Sequence, residues 1–547
     1  MSMKDNKENI DNIDKNDEID FIELVEDDEI LEDVESADEI EKTETLDNDT
    51  EEDSDVGKKG KKTSKDNASK AKKPISKFFY AGILLAVVNL IIAGIVGYNV
   101  KKILPTKYMV LFVVVILIVN GLLVFASRRI WSGIIMVLIS GAISAGLLYG
   151  LDVLNSVEKA IEKITIDNED PQIITEMGIV VLTDSNIHQI SDLSEFVIGY
   201  IKDGDYEYTE QLMAEINNAI GGNANYIEFS NTATMAEALY AKTIDAVIMN
   251  TAYIEMVAEL EGYEEFVNLT KVVYSSEIVK YIELVDRHET NLDAFVVYIS
   301  GMDKFGHIDA RTRSDVNILA VVNTKTRHIQ LINTPRDYYV PHSHSNGQPD
   351  KLTHAGLYGI NSSIYALEKL YDVQIDFYVK MNFSGFEGVI DALGGIDVYS
   401  EYDFTVEPIK HYTVGMNHLT GLEALAFARE RKSFAAGDIQ RGKHQMEVIK
   451  ATVNKMTSVE MISKYSTVLE ELAWCFQTNM SSDDIYTLVR GQLASTKSWK
   501  FDNYTVSGTG AKKETYSMPG TELYVMIPGE SQVEKAKDLI EAVLNEK

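Results

Sequence analysis

One short span of this chain concentrates side chains suited to holding phosphate. Between Phe427 and Gln445 lie Arg429, Arg431 and Arg441, with Asp438 and Gln445 among them. On a helix starting near Asp438, positions 438, 441 and 445 fall at i, i+3 and i+7 and share one face. Ile439, Met446, Ile449 and Val453 form an adjoining apolar stripe, so the core would fix where Arg441 and Gln445 point. Arg429 and Arg431 share a face only if the chain between them is extended. The planar guanidinium fork suits bidentate contact with phosphate oxygens. Several such groups from neighbouring elements suit more than one phosphate. A solvated charged face is the bland alternative, and an acidic protein that gathers arginine here argues against it.

Further charged pairs lie upstream. Arg313 and Asp315 are two apart and would face the same way in a strand; the bland reading is an exposed salt bridge of little worth. Arg336 follows Pro335 at the end of an expected strand, a common place for site residues in α/β folds. Asp337 beside it could hold the guanidinium; the bland reading is an ion pair in a turn. Asp303 and Asp315 sit at strand edges, where two carboxylates with water and phosphate oxygens would suit Mg²⁺; turn capping or ion pairing is the alternative. His342 and His344 lie in the polar loop from Pro341 to Pro349 and read as surface histidines rather than metal ligands. The sequence has no serine nucleophile elbow, P-loop or dinucleotide fingerprint.

The elements that must position these residues follow an α/β alternation. Expected strands are Ala294–Ser300, Val316–Val322, His328–Asn333, Ile375–Met381 and Ile396–Tyr399. The second and third would form a hairpin through 323–327, and a turn is expected at Gly301-Met302-Asp303. Leu352–Leu370, Phe383–Leu393, Leu422–Ala428, Ile439–Met456 and Ser482–Leu493 read as helices, with more helix continuing to Glu471. Two late strands and a terminal helix, Val533–Leu544, complete a sheet sandwiched by helices. Before this domain, residues 172–288 also alternate. Strands at Met177–Leu182, Tyr226–Phe229 and Ile244–Met249 and a helix at Thr234–Ala241 give a smaller α/β domain. It is similar to half of a periplasmic solute-binding-type domain; a spacer or oligomerisation domain is the alternative.

The first third of the chain is different. Of the net charge of −34, residues 1–56 carry about −21, from 25 acidic and 4 basic side chains. Such a segment buries too little apolar surface to offset ordering entropy, so a disordered tail is expected over 1–77. Nine lysines then fall between Lys58 and Lys77 against Asp66 alone, and a hydrophobic span follows at once, which reads as a juxtamembrane belt. Three apolar segments, about Phe78–Val96, Tyr108–Ser127 and Ile130–Leu151, approach the ~20 residues that cross a bilayer core. None holds an acidic or basic residue, so none suggests a transport path. The lysine belt, with Arg128 and Arg129, places the N-terminus in the cytoplasm, and three spans then place everything after about Asp152 outside. A helical stalk is expected over 152–171. The acidic balance disfavours nucleic acid, and the single Cys475 excludes an intrachain disulfide.

Taken together, S-G-M-D at 300–303, R-S-D at 313–315, T-P-R-D at 334–337, D-K-L-T-H-A at 350–355, G-G-I-D-V at 394–398, L-T-G-L-E-A-L-A-F-A-R-E-R at 419–431 and D-I-Q-R-G-K-H-Q at 438–445 resemble the LytR-CpsA-Psr family, over about residues 290–460. The resemblance implies a multi-pass cell-membrane enzyme with an extracellular α/β/α sandwich around a central mixed sheet, occupying 289–547 with a C-terminal extension. It implies transfer of a glycopolymer phosphate (teichoic acid, capsule or similar) from a polyprenyl-pyrophosphate carrier to peptidoglycan. By position, Asp303 and Asp315 resemble Mg²⁺-associated carboxylates. Arg313, Arg336, Arg429, Arg431, Arg441 and Gln445 resemble pyrophosphate contacts, and Lys351 falls in a lysine-containing motif. Asp438 resembles an acidic residue near the arginines, acting as base or as their positioner. The family's lipid tail lies in an apolar tunnel, for which 352–370 and 383–393 are candidate walls or ordinary core. A hydrolase acting on the same carrier and a non-catalytic membrane regulator are the rival readings. The three spans, the extra domain and the acidic tail depart from many members.

Overall fold

The computed structural model describes residues 77–128, 130–165, 172–202, 205–281, 290–302, 307–458, 468, 475–495 and 497–547. The acidic tail, Arg129, the end of the expected stalk, Asp303 and most of the helix expected before Glu471 lie outside these residues.

Three helices are long and apolar enough to cross a membrane: α1 (Lys77–Val100), α2 (Thr106–Ala126) and α3 (Ile130–Ile164). The expected third span and stalk are one element, since α3 runs unbroken for 35 residues. The reason is local: from Leu151 to Ile164 no Gly or Pro interrupts the chain, and Ala160, Ile161 and Ile164 are buried. The loop between α1 and α2 is tied down at both ends. Lys102 pairs with Glu158 on α3 at 2.7 Å, and Lys107 Nζ donates to the carbonyl of Ala494 at 3.1 Å. Arg490 Nε donates to the Lys102 carbonyl at 3.2 Å.

Residues 172–281 form a five-stranded sheet in the order β3-β2-β4-β1-β5. Its strands are β1 (Gln172–Leu182), β2 (Val197–Ile201), β3 (Asn225–Phe229), β4 (Ala246–Asn250) and β5 (Thr270–Tyr281). β2 runs parallel to β3 and β4, while β1 is antiparallel to β4 and β5. The parallel strands alternate with helices α4 (Tyr206–Ile220) and α5 (Thr232–Tyr240). α4 buries Thr209, Leu212 and Ile216, one apolar stripe, and ends at Gly221 with φ +70°, the left-handed conformation that glycine adopts without strain. Asn231 starts α5 by accepting the Thr234 N–H at 2.9 Å. Two short helices follow β4, α6 (Ile254–Val257) and α7 (Phe266–Leu269).

The larger domain is built on a six-stranded mixed sheet. Its strands are β6 (Ala294–Met302), β7 (Val316–Asn323), β8 (His328–Asn333), β11 (Phe377–Asn382), β16 (Phe476–Thr478) and β17 (Lys500–Thr505), in the order β16-β11-β6-β7-β8-β17. Along β6 and β7 alternate residues serve two cores, as the two-residue repeat of a strand demands. Val296, Tyr298, Leu319 and Val321 pack with Leu367 and Tyr371 of α8 (Ile360–Tyr371) and Ala536 and Ile540 of α13 (Glu530–Leu544). Phe295, Val297, Ile318 and Ala320 pack with Met446 of α11 (Asp438–Met456). A buried sheet with helices on both faces is therefore the observed architecture, as expected.

Smaller pieces attach to this frame: hairpins β9–β10 (Tyr339–Pro341 and Pro349–Lys351), β13–β14 (Phe404–Val406 and Lys410–Tyr412) and β18–β19 (Gly508–Thr515 and Met518–Pro528), the pair β12–β15 (Ile396–Ser400 and Gly415–Leu419), and helices α9 (Phe383–Ala392), α10 (Gly421–Arg429) and α12 (Ser482–Ala494). The helix expected over 352–370 is two elements. A 3₁₀ turn, Leu352–Tyr358, ends at Gly359 with φ +93°, and α8 begins after it. The apolar side of α8 is taken up by packed core, the plainer of the two expectations for that segment. Gly301 and Met302 remain in β6 rather than forming the expected turn.

Candidate active site

The upstream pairs and the arginine helix meet at one end of the large sheet. Asn333 is the last residue of β8, and a Cβ on Gly442 would stand only 2.0 Å from its Nδ2. Only glycine lets α11 dock this closely. The docking sets Arg441 beside Arg336, which lies three residues beyond the end of β8. Asp315 precedes β7, and the Thr353 hydroxyl donates to its Oδ1 at 3.0 Å. Arg336 Nη1 donates to the same oxygen at 2.8 Å.

Burial alone would raise the Asp315 carboxyl, but Arg336, Arg313 and Arg441 hold it far below the usual carboxylate range. Asp315 chiefly, with Asp337 and Asp438, raises the Arg336 guanidinium against its own burial. Arg336 Nε is buried and has no hydrogen-bond partner among the described residues. A guanidinium N–H left dry and unpaired costs free energy that an anionic ligand would recover. Arg441 is buried and pairs with Asp438 at 2.5 Å, the i, i+3 geometry expected at the start of this helix.

One bland alternative is set aside and one expected pairing is corrected. Arg313 and Asp315 do not form an exposed bridge: both are buried, and Asp315 bonds Arg336 instead. Asp337 does not clamp Arg336; it pairs with Lys351 at 3.1 Å. The partners of Arg313 come from the smaller domain. Arg313 Nη1 donates to Glu259 Oε1 at 2.8 Å, and its other nitrogen pairs with Glu255. Lys351 Nζ donates to Glu259 Oε2 at 2.6 Å. Glu255 and Glu259 stand one helical turn apart, on α6 and just beyond it, and so reach the same place. Against its burial, Lys351, then His354 and Arg313, keep the Glu259 carboxyl below its ordinary value. No sequence signal marked these two carboxylates, because the domain holding them carries no motif.

Of the other expected residues, Arg429 ends α10 and Glu430 is extended (φ −64°, ψ 126°), which meets the condition for Arg429 and Arg431 to share a face. Both are exposed, and Gln445 is half-buried one turn beyond Arg441. The histidine expectation is corrected. His342 is fully buried and His344 is half-buried, with its ring 3.4 Å from that of Tyr358. Burial pushes both imidazoles down to about 4.

The assembled cluster sets Arg313, Arg336, Lys351 and Arg441 among Asp315, Asp337, Asp438, Glu255 and Glu259. Four cations therefore face five carboxylates. A pyrophosphate diester entering this site adds two negative charges, so a divalent cation would complement it. Asp315 is held ionised and supplies hard oxygen donors of the kind Mg²⁺ takes alongside phosphate oxygens. Among the described residues no group of three or more metal-type ligands converges.

The profile of the LytR_cpsA_psr family matches residues 257–535. This chain belongs to that family. Among curated proteins, it is 33% identical over 193 residues to the polyisoprenyl-teichoic acid–peptidoglycan teichoic acid transferase TagU of Bacillus cereus (strain AH820). That alignment covers 35% of this chain and 62% of the relative. It is 32% identical over 214 residues to the corresponding transferase TagT of Bacillus subtilis (strain 168), covering 37% and 65%. The chain thus spans somewhat less than two thirds of the curated relatives' length. Similar solved structures include TagT bound to LIIa-WTA, at 27% identity and TM-score 0.39, over 47% of this chain and 94% of that one. Bacillus subtilis TagV aligns at 25% identity and TM-score 0.40, over 47% and 100%.

Proposed function

We propose that this protein transfers a glycopolymer phosphate from a polyprenyl-pyrophosphate carrier to peptidoglycan, at an outward-facing site anchored by three membrane spans. The observation that carries the reading is the buried, unpartnered Nε of Arg336 within a ring of Arg313, Lys351 and Arg441. The names of the TagU and TagT relatives supply the reaction class.

The arginines bind the two phosphates and offset the charge that develops on the leaving group. A sugar hydroxyl of the acceptor attacks the phosphorus bonded to the glycan. The bond from that phosphorus to the bridging oxygen breaks, polyprenyl phosphate departs with the electron pair, and a phosphodiester remains. The hydroxyl proton passes to a carboxylate, for which Asp438 beside Arg441 is the candidate. Asp315, with Asp303, would hold Mg²⁺, which when bound neutralises phosphoryl oxygens. Arg429, Arg431 and Gln445 would extend the phosphate contacts. Topology in this reading follows the lysine belt, with the N-terminus cytoplasmic.

The test presents full-length protein in nanodiscs with a polyprenyl-pyrophosphate oligosaccharide, with and without peptidoglycan. Acceptor-dependent attachment is expected. Release of phosphorylated sugar without acceptor would instead establish a hydrolase, and no turnover with intact donor binding would establish a regulator.

A further inference from the structure

A cavity of about 1140 Å³ has none of the clustered arginines in its lining. It opens where the parallel strands of the smaller domain end. Ile201 at the end of β2, Ser230 to Thr232 after β3, and Met249 and Asn250 at the end of β4 form its floor, with the start of α4. In α/β sheets this carboxyl edge is where ligands bind. The opposite wall comes from the large domain: the β9–β10 loop, Tyr358, and the β18–β19 turn at Thr515, Tyr516 and Ser517. The two walls share one buried core, since Leu357, Met518 and Leu523 pack with Met235, Leu239 and Phe266.

The lining is a built surface. Thr175, Asn250 and Thr515 are nearly fully buried, and Thr175 Oγ1, Asn250 Nδ2 and Thr515 Oγ1 have no hydrogen-bond partner among the described residues. These atoms lie out of reach of solvent and only shape the wall; exposed Ser230, Gln348 and Tyr516 offer the groups a ligand can meet. Tyr516 stands 41% exposed, its ring edge-on to His344 and Tyr358. Charge excludes an anionic occupant. The acids are Asp205, Glu207 and Glu514, the bases Lys280 and Arg311, and Arg311 is already spent on Asp205 at 2.5 Å and on the Leu357 carbonyl. Tyrosine rings beside neutral amides and hydroxyls match a molecule with apolar C–H faces and many hydroxyl groups. The volume exceeds the usual range of about 300–1,000 Å³ for small-ligand sites, so it suits an oligomer.

We infer that the cleft between the two domains is a binding site for an uncharged oligosaccharide. Arg311 in the cleft and Arg313 in the arginine cluster are two residues apart in the chain, so cleft and cluster adjoin. A bound glycan therefore lies beside the place where a hydroxyl must attack. As a glycan site the cleft stands without the transfer reading; as the berth of the acceptor it rests on that reading.

Binding is tested by calorimetric titration of the full chain in nanodiscs with chitotetraose, an uncharged N-acetylglucosamine tetramer. Wild type is expected to bind saturably. Tyr516→Ala, at an exposed position, is expected to weaken binding at least fivefold. Gln348→Ala, likewise at an exposed position of the lining, is expected to weaken it while melting as wild type does. Arg336→Ala is expected to leave it unchanged, which separates this site from the phosphate cluster whatever becomes of transfer. No saturable binding, equal binding by both cleft variants, loss only with Arg336→Ala, or displacement of the sugar by inorganic polyphosphate or free amino acids each overturns the inference.

Discussion

Glu259 gives the sharpest test of how the phosphate site is set. Its two carboxylate oxygens hold Arg313 at 2.8 Å and Lys351 at 2.6 Å, so one side chain from the smaller domain pairs with two cations of the larger. Glu259→Gln keeps the shape and removes the charge. A phosphate bonded to the free side of Arg313 would sit about 8 Å from the carboxylate. At an effective dielectric of ~20, their repulsion is about 2 kcal/mol, which is roughly thirtyfold in affinity. The variant should therefore bind inorganic pyrophosphate up to about thirtyfold tighter, with a correspondingly lower KM for the lipid-linked donor. Added salt should shrink the gain. Arg313 keeps Glu255 and Lys351 keeps Asp337, so the fold should lose only about 1–2 kcal/mol. Calorimetric titration of wild type and variant in nanodiscs, with melting curves alongside, measures both. Unchanged or weaker pyrophosphate binding at a similar Tm would refute the reasoning and make Glu259 an orienting group rather than a competitor.

Arg336→Lys retains charge but loses the fork that leaves Nε for a ligand; donor-dependent transfer should fall at least a hundredfold with the domain still folded, as circular dichroism can check. Gly442→Ala should cost about 1–3 kcal/mol by denaturant titration and lower transfer as well, because its Cβ meets Asn333 and must push Arg441 out of place. His342, His344 and His444 are all pushed down to about 4 by burial, so the unfolded chain binds more protons than the folded one between about pH 6.5 and 4. Stability should be full above pH 6.5 and fall by up to about 1.4 kcal/mol per pH unit for each histidine below it. His342→Gln should flatten that slope in melts taken across the window.

The sheet of the large domain was legible because its strands are continuous apolar runs with turn residues between them. The β7–β8 hairpin falls where Asn323–Arg327 predicts it. Legibility failed where conformation depends on one backbone angle or on distant contacts. Gly359 at φ +93° splits a segment whose apolar spacing reads as a single helix. β2, α4 and β5 of the smaller domain were not anticipated; α4 lies in a stretch rich in polar residues. Arg313, Asp315, Arg336, Lys351, Asp438 and Arg441 were legible by type, and the fold brings them together. Their pairing was not, because adjacency along the chain suggested Asp337 for Arg336, whereas folding supplies Asp315 from 21 residues away. The glutamates on and after α6 lie 58 and 54 residues from Arg313 and have no local signature. His342 and His344 read as surface residues from their polar loop, yet Tyr358 and Tyr516 close over His344 from later in the chain.

The unbroken α3 has a mechanical consequence. At 1.5 Å per residue its 35 residues measure about 52 Å, and a bilayer core takes up about 30 Å of that. The remaining ~20 Å is a stiff mast, stayed by Lys102 on Glu158 and by Arg490 on the Lys102 carbonyl. Under the proposed function, a site borne on such a mast would meet a lipid-linked donor by a two-dimensional search in the membrane plane. The wall polymer would have to be brought to it there.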